Sequence, residues 1–130
     1  MRKNKFSKNW IIKQKRDIYV KKSKLEGYRS RAVYKLQEIN DKFKIIKNNI
    51  SVIDLGAAPG SWSQYISRNF SNTKIISIDL KDIEPIKNLV HIKGDFTEER
   101  QKKNIKNYFG KKVDLIVSDM AVNTTGNKSV

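Results

Sequence analysis

Three groups of residues in this 130-residue chain have the types and spacing for chemistry. The first is Gly56-Ala57-Ala58-Pro59-Gly60, which follows the apolar run Ser51-Val52-Ile53-Asp54-Leu55. Glycines at a strand-to-helix turn let the backbone approach a ligand closely. The segment lacks the Gly-Lys-Ser/Thr of a phosphate-binding P-loop, and its GxxxG spacing differs from the dinucleotide GxGxxG. Taken alone, it also fits an ordinary strand–helix turn. The second group is Asp79, Asp95 and Asp119, each closing an apolar run. Asp79 lies 23 residues after Gly56. An α/β nucleoside site places a carboxylate for ribose hydroxyls about 20 residues beyond its loop. Singly, each acid also fits a helix N-cap or a solvated turn. Three acids at successive strand ends, with the glycine loop, point to one ligand-binding edge. The third is Lys35, at the rim of an apolar helical stripe. A lysine there either reaches over the core's edge to a site or lies along the surface as a snorkelling side chain.

The composition removes other chemistries. The chain has no cysteine, which excludes disulfides, Cys-ligated zinc and thiol catalysis. Its single histidine, His91, argues against a His-based metal cluster, so no metal is expected. No apolar run approaches the roughly 18 residues of a membrane span. The basic N-terminus lacks the apolar stretch of a secretory signal, so a cytoplasmic protein is expected. The net charge is +15, and it is uneven. Residues 1–50 hold 16 Lys+Arg and 4 Asp+Glu, whereas residues 51–130 hold 12 and 9. A basic arm on a near-neutral body is the footprint of nucleic-acid binding. A general lysine bias accounts for the charge but not for its asymmetry.

The elements that would position these groups follow from periodicity. Ser7 is placed to cap a helix running to about Leu25, with Gly27 past its end and a stripe of Trp10, Ile11, Ile18 and Leu25. Ser30 is placed to cap a second helix, whose apolar face comprises Ala32, Val33, Leu36, Ile39 and Phe43. Strands are expected at residues 51–55, 74–80, 90–93 and 113–118, and a helix at about residues 61–70. Thr97 is placed to cap a last helix through Phe109, ended by Gly110. Strands alternating with helices predict a parallel, doubly wound α/β sheet.

These pieces together resemble one family. Gly27-Tyr28-Arg29-Ser30-Arg31-Ala32-Val33-Tyr34-Lys35-Leu36, Asp54 to Gln64 (DLGAAPGSWSQ), Gly94-Asp95-Phe96 and Ser118-Asp119-Met120-Ala121 carry the likeness, which runs from about Asp17 onward. The chain resembles the FtsJ-like RNA ribose 2′-O-methyltransferases, in particular the bacterial branch that methylates a uridine of 23S ribosomal RNA. The resemblance implies a Rossmann-like fold and S-adenosyl-L-methionine as cofactor. It implies cofactor contacts from Gly60, Trp62, Asp79, Asp95 and Asp119, although Trp62 also fits helix-face packing. It makes Lys35 and Asp119 the first two members of a Lys-Asp-Lys-Glu catalytic tetrad. Its implied partner is large-subunit ribosomal RNA, as the 50S particle, with the enzyme a monomer.

Such chemistry suits these residues. Methyl transfer is an in-line attack of a ribose oxygen on a sulfonium methyl, so both reactants must be held near contact. A lysine among other cations can have its pKa lowered enough to act as a base, and an aspartate can orient the groups around it. The tetrad's second lysine, which resembles the proton acceptor, and its glutamate are expected on strands after residue 130. Only four of the family's seven strands are visible, with strand four left exposed on one edge, so a fragment or truncated product is expected. Val122 stands where the commonest family pattern has proline. The domain reading is a basic RNA-binding extension over residues 1–29 and an incomplete methyltransferase domain over residues 30–130. Two alternatives remain at this level: the tRNA-directed branch of the same family, and a non-catalytic RNA-binding remnant.

Overall fold

The computed structural model describes residues 5–110 and 113–119, with side chains from Lys8 onward. The expected Met120, Ala121 and Val122 features lie outside the described residues. The elements run α1 (Lys5–Glu26), α2 (Val33–Phe43), β1 (Ser51–Leu55), α3 (Ser61–Asn69), β2 (Lys74–Asp79), β3 (Leu89–Lys93), α4 (Glu99–Phe109) and β4 (Leu115–Ser118). All strands pair in parallel, in the order β3-β2-β1-β4. The chain starts its sheet at β1, builds outward through β2 and β3, and then returns to the other side of β1. That reversal puts a topological switch point between β1 and β4, where open α/β sheets bind ligands beyond the strands' carboxyl ends.

Side-chain alternation assigns the two faces. Val52, Ile75 and Val117 pack under α2 and α3 with Val33, Leu36 and Ile66. Ile53, Ile76 and Ile78 point the other way and pack with Phe109 of α4. Period-two alternation therefore sends Asp54, Asp79 and Asp119 to the α2/α3 face. On the α4 face, Ile116 is left 59% exposed. Among the described residues, β4 pairs on one side only, with β1. No helix among them is long and apolar enough to cross a membrane.

Helix ends depart from the expected caps. α1 begins before Ser7, at Lys5. It closes in a Schellman turn, with Gly27 at φ 75°, its N–H on the Lys24 carbonyl, and the Tyr28 N–H on that of Ser23. The expected stripe of α1 faces solvent: Trp10, Ile11, Ile18 and Leu25 are all exposed. The helix instead meets the body through Ser23, which is buried, and Tyr19, which stacks on Tyr34 at 5.4 Å. Ser30 does not cap α2. Its hydroxyl accepts the Ala32 N–H ahead of the helix and also meets the Ser61 hydroxyl at 2.9 Å, so it serves a tertiary contact beside a local turn. Phe43 is exposed at the end of α2, and the chain returns to the core through Ile46, whose N–H donates to the buried Asn40 side chain. Thr97 bonds backward to Asp95, which leaves Glu98 at the start of α4 without a side-chain cap.

Candidate active site

The loop after β1 is fixed by the neighbouring strand. Gly56, at φ 65°, sends its N–H to the Ile78 carbonyl at 2.8 Å. The Ala58 N–H donates to the Asp79 carboxylate at 3.0 Å. A cis Ala58–Pro59 bond leads into Gly60, which begins α3 at φ 106°. A side chain at Gly60 would be strained, and its Cβ would stand 2.9 Å from the Arg29 guanidinium. The positive φ favours glycine there, and a side chain would also crowd the Arg29 guanidinium.

Asp54 lies under this loop, 1% exposed, with its carboxylate accepting the Ser63 hydroxyl at 2.7 Å. Burial pushes its carboxyl up to about 7. The charges of Asp119 and Asp79 push in the same direction, while the Ser63 hydrogen bond opposes them. At the end of β4, Asp119 pairs with Lys35 at 3.6 Å. Lys35 comes from the first turn of α2 and is 67% exposed at its side chain, so it bridges from solvent to the loop.

Asp54, Gly56, Pro59, Ser61, Trp62 and Asp119 enclose a cleft of about 20 Å³ at the switch point. A larger groove, about 430 Å³, runs between α1 and α2 past Tyr19, Lys22 and Tyr34. It holds none of the strand-end acids, so the smaller cleft is the candidate site. Of the residues the sequence singled out, Trp62 and Asp119 line this cleft. Lys35 reaches it through Asp119. Gly60 and Asp79 build the wall of the loop, Asp79 with one oxygen on Ala58 and the other on the Lys81 N–H. Asp95 stands apart, exposed, with the Thr97 hydroxyl and N–H holding its carboxyl below the usual range. Trp62 serves packing as well, since its indole N–H donates to the Ala32 carbonyl at 2.8 Å and ties α3 to the start of α2.

The FtsJ-like methyltransferase family profile matches residues 28–130, nearly the whole body of the chain. The chain belongs to the FtsJ-like methyltransferase family. Among its FtsJ-like relatives, the ribosomal RNA large subunit methyltransferase E of Pelagibacter ubique (strain HTCC1062) is 62% identical over all of this chain and 64% of its own length. The protein of that name from Rickettsia akari (strain Hartford) is 49% identical over 95% of this chain and 57% of its own length. The chain thus spans under two thirds of these relatives. A crystal structure of a ribosomal RNA methyltransferase from Plasmodium falciparum superposes with a TM-score of 0.65 at 39% identity, covering 77% of this chain and 60% of that one. The parallel sheet with helices on both faces is the Rossmann-like fold of this FtsJ-like family. Two residues of the site have no role in the sequence reading. Asp54 was legible as an acid inside an apolar strand. Arg29 was not, because its partners are main-chain carbonyls.

Proposed function

We propose that this chain carries the cofactor loop and the Lys35–Asp119 pair of an enzyme that 2′-O-methylates a uridine ribose in 23S ribosomal RNA of the large subunit. S-adenosyl-L-methionine is the methyl donor in this reading, and its sulfonium supplies an electrophilic methyl group. The observation that carries the proposal is the 3.6 Å Lys35–Asp119 pair at the mouth of the glycine loop, in a chain of this family. The residues present suit that cofactor. Asp54, Asp79 and Asp119 are close enough for the charges of the other two to raise Asp54, and a cationic ligand relieves that repulsion. Asp79 has acceptor capacity left for ribose hydroxyls beyond its two N–H donors.

In this reading Asp119 holds the Lys35 ammonium beside the cleft. Lys35 directs its N–H donors at the attacking 2′-oxygen and fixes its line of approach. Gly60, Trp62 and Asp79 seat the cofactor with Asp119, and Asp95 serves its outer end. The basic residues of the 1–29 extension, Arg29 apart, bind the RNA backbone, with the 50S particle as substrate, a monomeric enzyme and a cytoplasmic setting. The test is Lys35→Ala in the full-length protein. Turnover should fall about 10²-fold or more while cofactor affinity stays nearly intact. Single-turnover methylation of ribosomal particles and calorimetric titration of S-adenosylmethionine read the two quantities. Equal damage to both would assign Lys35 a structural role.

A further inference from the structure

Between β2 and β3 the chain covers residues 80–88 with no helix. Parallel strands are usually joined by a helix, whose internal hydrogen bonds satisfy the crossing backbone. Here several carbonyls of the crossing take outside donors, and Arg29 serves two of them, Glu84 and Pro85. Its Nη1 donates to the Glu84 carbonyl at 2.8 Å and to the Pro59 carbonyl at 2.9 Å. Its Nη2 donates to the Pro85 carbonyl at 3.1 Å. The Ser67 hydroxyl takes one more, the Lys87 carbonyl, at 2.8 Å. One half-buried guanidinium therefore joins the glycine loop to the β2–β3 crossing, and the Ile86 side chain is brought over Gly60.

Arg29 is itself fixed. Its N–H donates to the Gln64 side chain at 2.8 Å, and next to it Ser30 meets Ser61. One turn further on, Ala32 receives the Trp62 indole, and Lys35 follows in the same helix. The segment that carries Lys35 and the loop after β1 are thus stitched into one body, with Arg29 as the charged stitch on its loop side. We propose that Arg29 is a positioning residue for the cofactor loop, clasping the loop and the β2–β3 crossing, rather than an RNA phosphate contact. The placement of the cofactor rests on the reading above; the clasp does not.

A planar fork reaching three carbonyls cannot be replaced by the point charge of lysine, whereas a phosphate contact largely can. The comparison is therefore Arg29→Ala, Arg29→Lys and Arg31→Ala in the full-length protein, Arg31 being exposed two residues away. Both Arg29 variants should bind S-adenosylmethionine about tenfold or more weakly, because charge-assisted hydrogen bonds are removed. Both should bind a labelled fragment of 23S ribosomal RNA within about twofold of wild type, with the same salt dependence. An arginine seated on a phosphate would instead, on change to alanine, lower the slope of log affinity against log salt by about one. Arg31→Ala should leave cofactor affinity unchanged. Normal cofactor affinity in Arg29→Lys overturns the proposal, as does an equal loss in Arg31→Ala. If Arg29→Ala does not fold, Arg29→Lys decides alone. Amide exchange reads the clasp without any cofactor: the Ala58 and Leu89 amides should exchange faster in Arg29→Lys, and unchanged exchange also overturns it. Faster exchange beside a wild-type protein that binds no S-adenosylmethionine would keep the clasp, and the methyltransferase reading would be the one to fail.

Discussion

At the end of β1, Asp54 is buried and its carboxyl is pushed up to about 7. Two strands away, beyond β3, Asp95 stands in water and Thr97 holds its carboxyl below the usual range. Both residues are aspartates at the carboxyl edge of one parallel sheet, so the difference comes from what covers them. The β1/β4 end lies under the glycine loop, where Asp54 is kept dry and Asp119, paired with the exposed Lys35, stands at its rim. The β2/β3 end is polar and already held by hydrogen bonds. Asp79 accepts two N–H groups, and His91 bridges the Ser77 hydroxyl and the Lys81 carbonyl at 2.7 and 2.9 Å. One end stores unrelieved charge that a cationic ligand can settle; the other offers prearranged acceptors that cost little to keep. Low dielectric strengthens interactions at the first end, and water screens them at the second.

The sharpest break should come at the dry end. Asp119→Ala removes the partner of Lys35 and one of the cleft's acceptors together. In the full-length enzyme it should lower turnover by at least about a hundredfold and weaken cofactor binding as well. Single-turnover methylation beside calorimetry would show it. A loss confined to one of the two quantities would mean that Asp119 does not serve both.

A smaller effect concerns pH. The folded value of Asp54, about 7, lies above the ordinary carboxyl value, so the folded chain binds a proton that the unfolded chain releases. Stability should therefore be greatest in acid for this group, fall as pH rises from about 4 to 7, and level off above. Asp54→Asn keeps an acceptor for Ser63, should flatten that fall, and should gain about 1 kcal/mol or more near pH 8 in urea unfolding. Cofactor affinity has the opposite sign. A cation favours the ionised carboxyl, so wild-type affinity should weaken below pH 7 by up to about tenfold per unit, and Asp54→Asn should lose that dependence. A flat wild-type profile would separate Asp54 from the cofactor.

The smallest contrast lies within the wet end. Asp79→Ala frees the Ala58 N–H and should weaken cofactor binding about tenfold. Asp95→Ala, which disturbs an exposed turn, should change it by less than about threefold. Titration of the two variants side by side would reveal the ranking, and an Asp95 effect as large as that of Asp79 would reverse it.

Much of this arrangement is legible before any coordinates. Apolar runs bounded by glycine, proline and acids locate all four strands, most plainly β1 and β2, where burial on both faces leaves little choice of residue. The acids at their ends follow from the same pattern. What periodicity misses is set by distant partners. Ser30 and Thr97 read as caps, yet Ser30 finds Ser61 and Thr97 finds Asp95. Phe43 reads as core, yet it is exposed and Ile46, three residues on, is buried instead. Arg29 stands in the motif that carries the family likeness, with no role of its own legible there. Its role depends on carbonyls 30, 55 and 56 residues away, which no local spacing announces.

Because Gly27 closes α1 in a Schellman turn and Arg68 grips the Glu26 and Gly27 carbonyls at 3.0 and 2.7 Å, this basic helix is held as a lever and not trailed as a tether. At 1.5 Å per residue its 22 residues extend about 33 Å. A loose tail gathers any phosphate within its swing, whereas a lever of set length favours those standing at one offset from its pivot. In the function proposed above, choice of target would then be partly a matter of surveying: the ribose presented to Lys35 would be one whose neighbouring backbone lies where the lever ends.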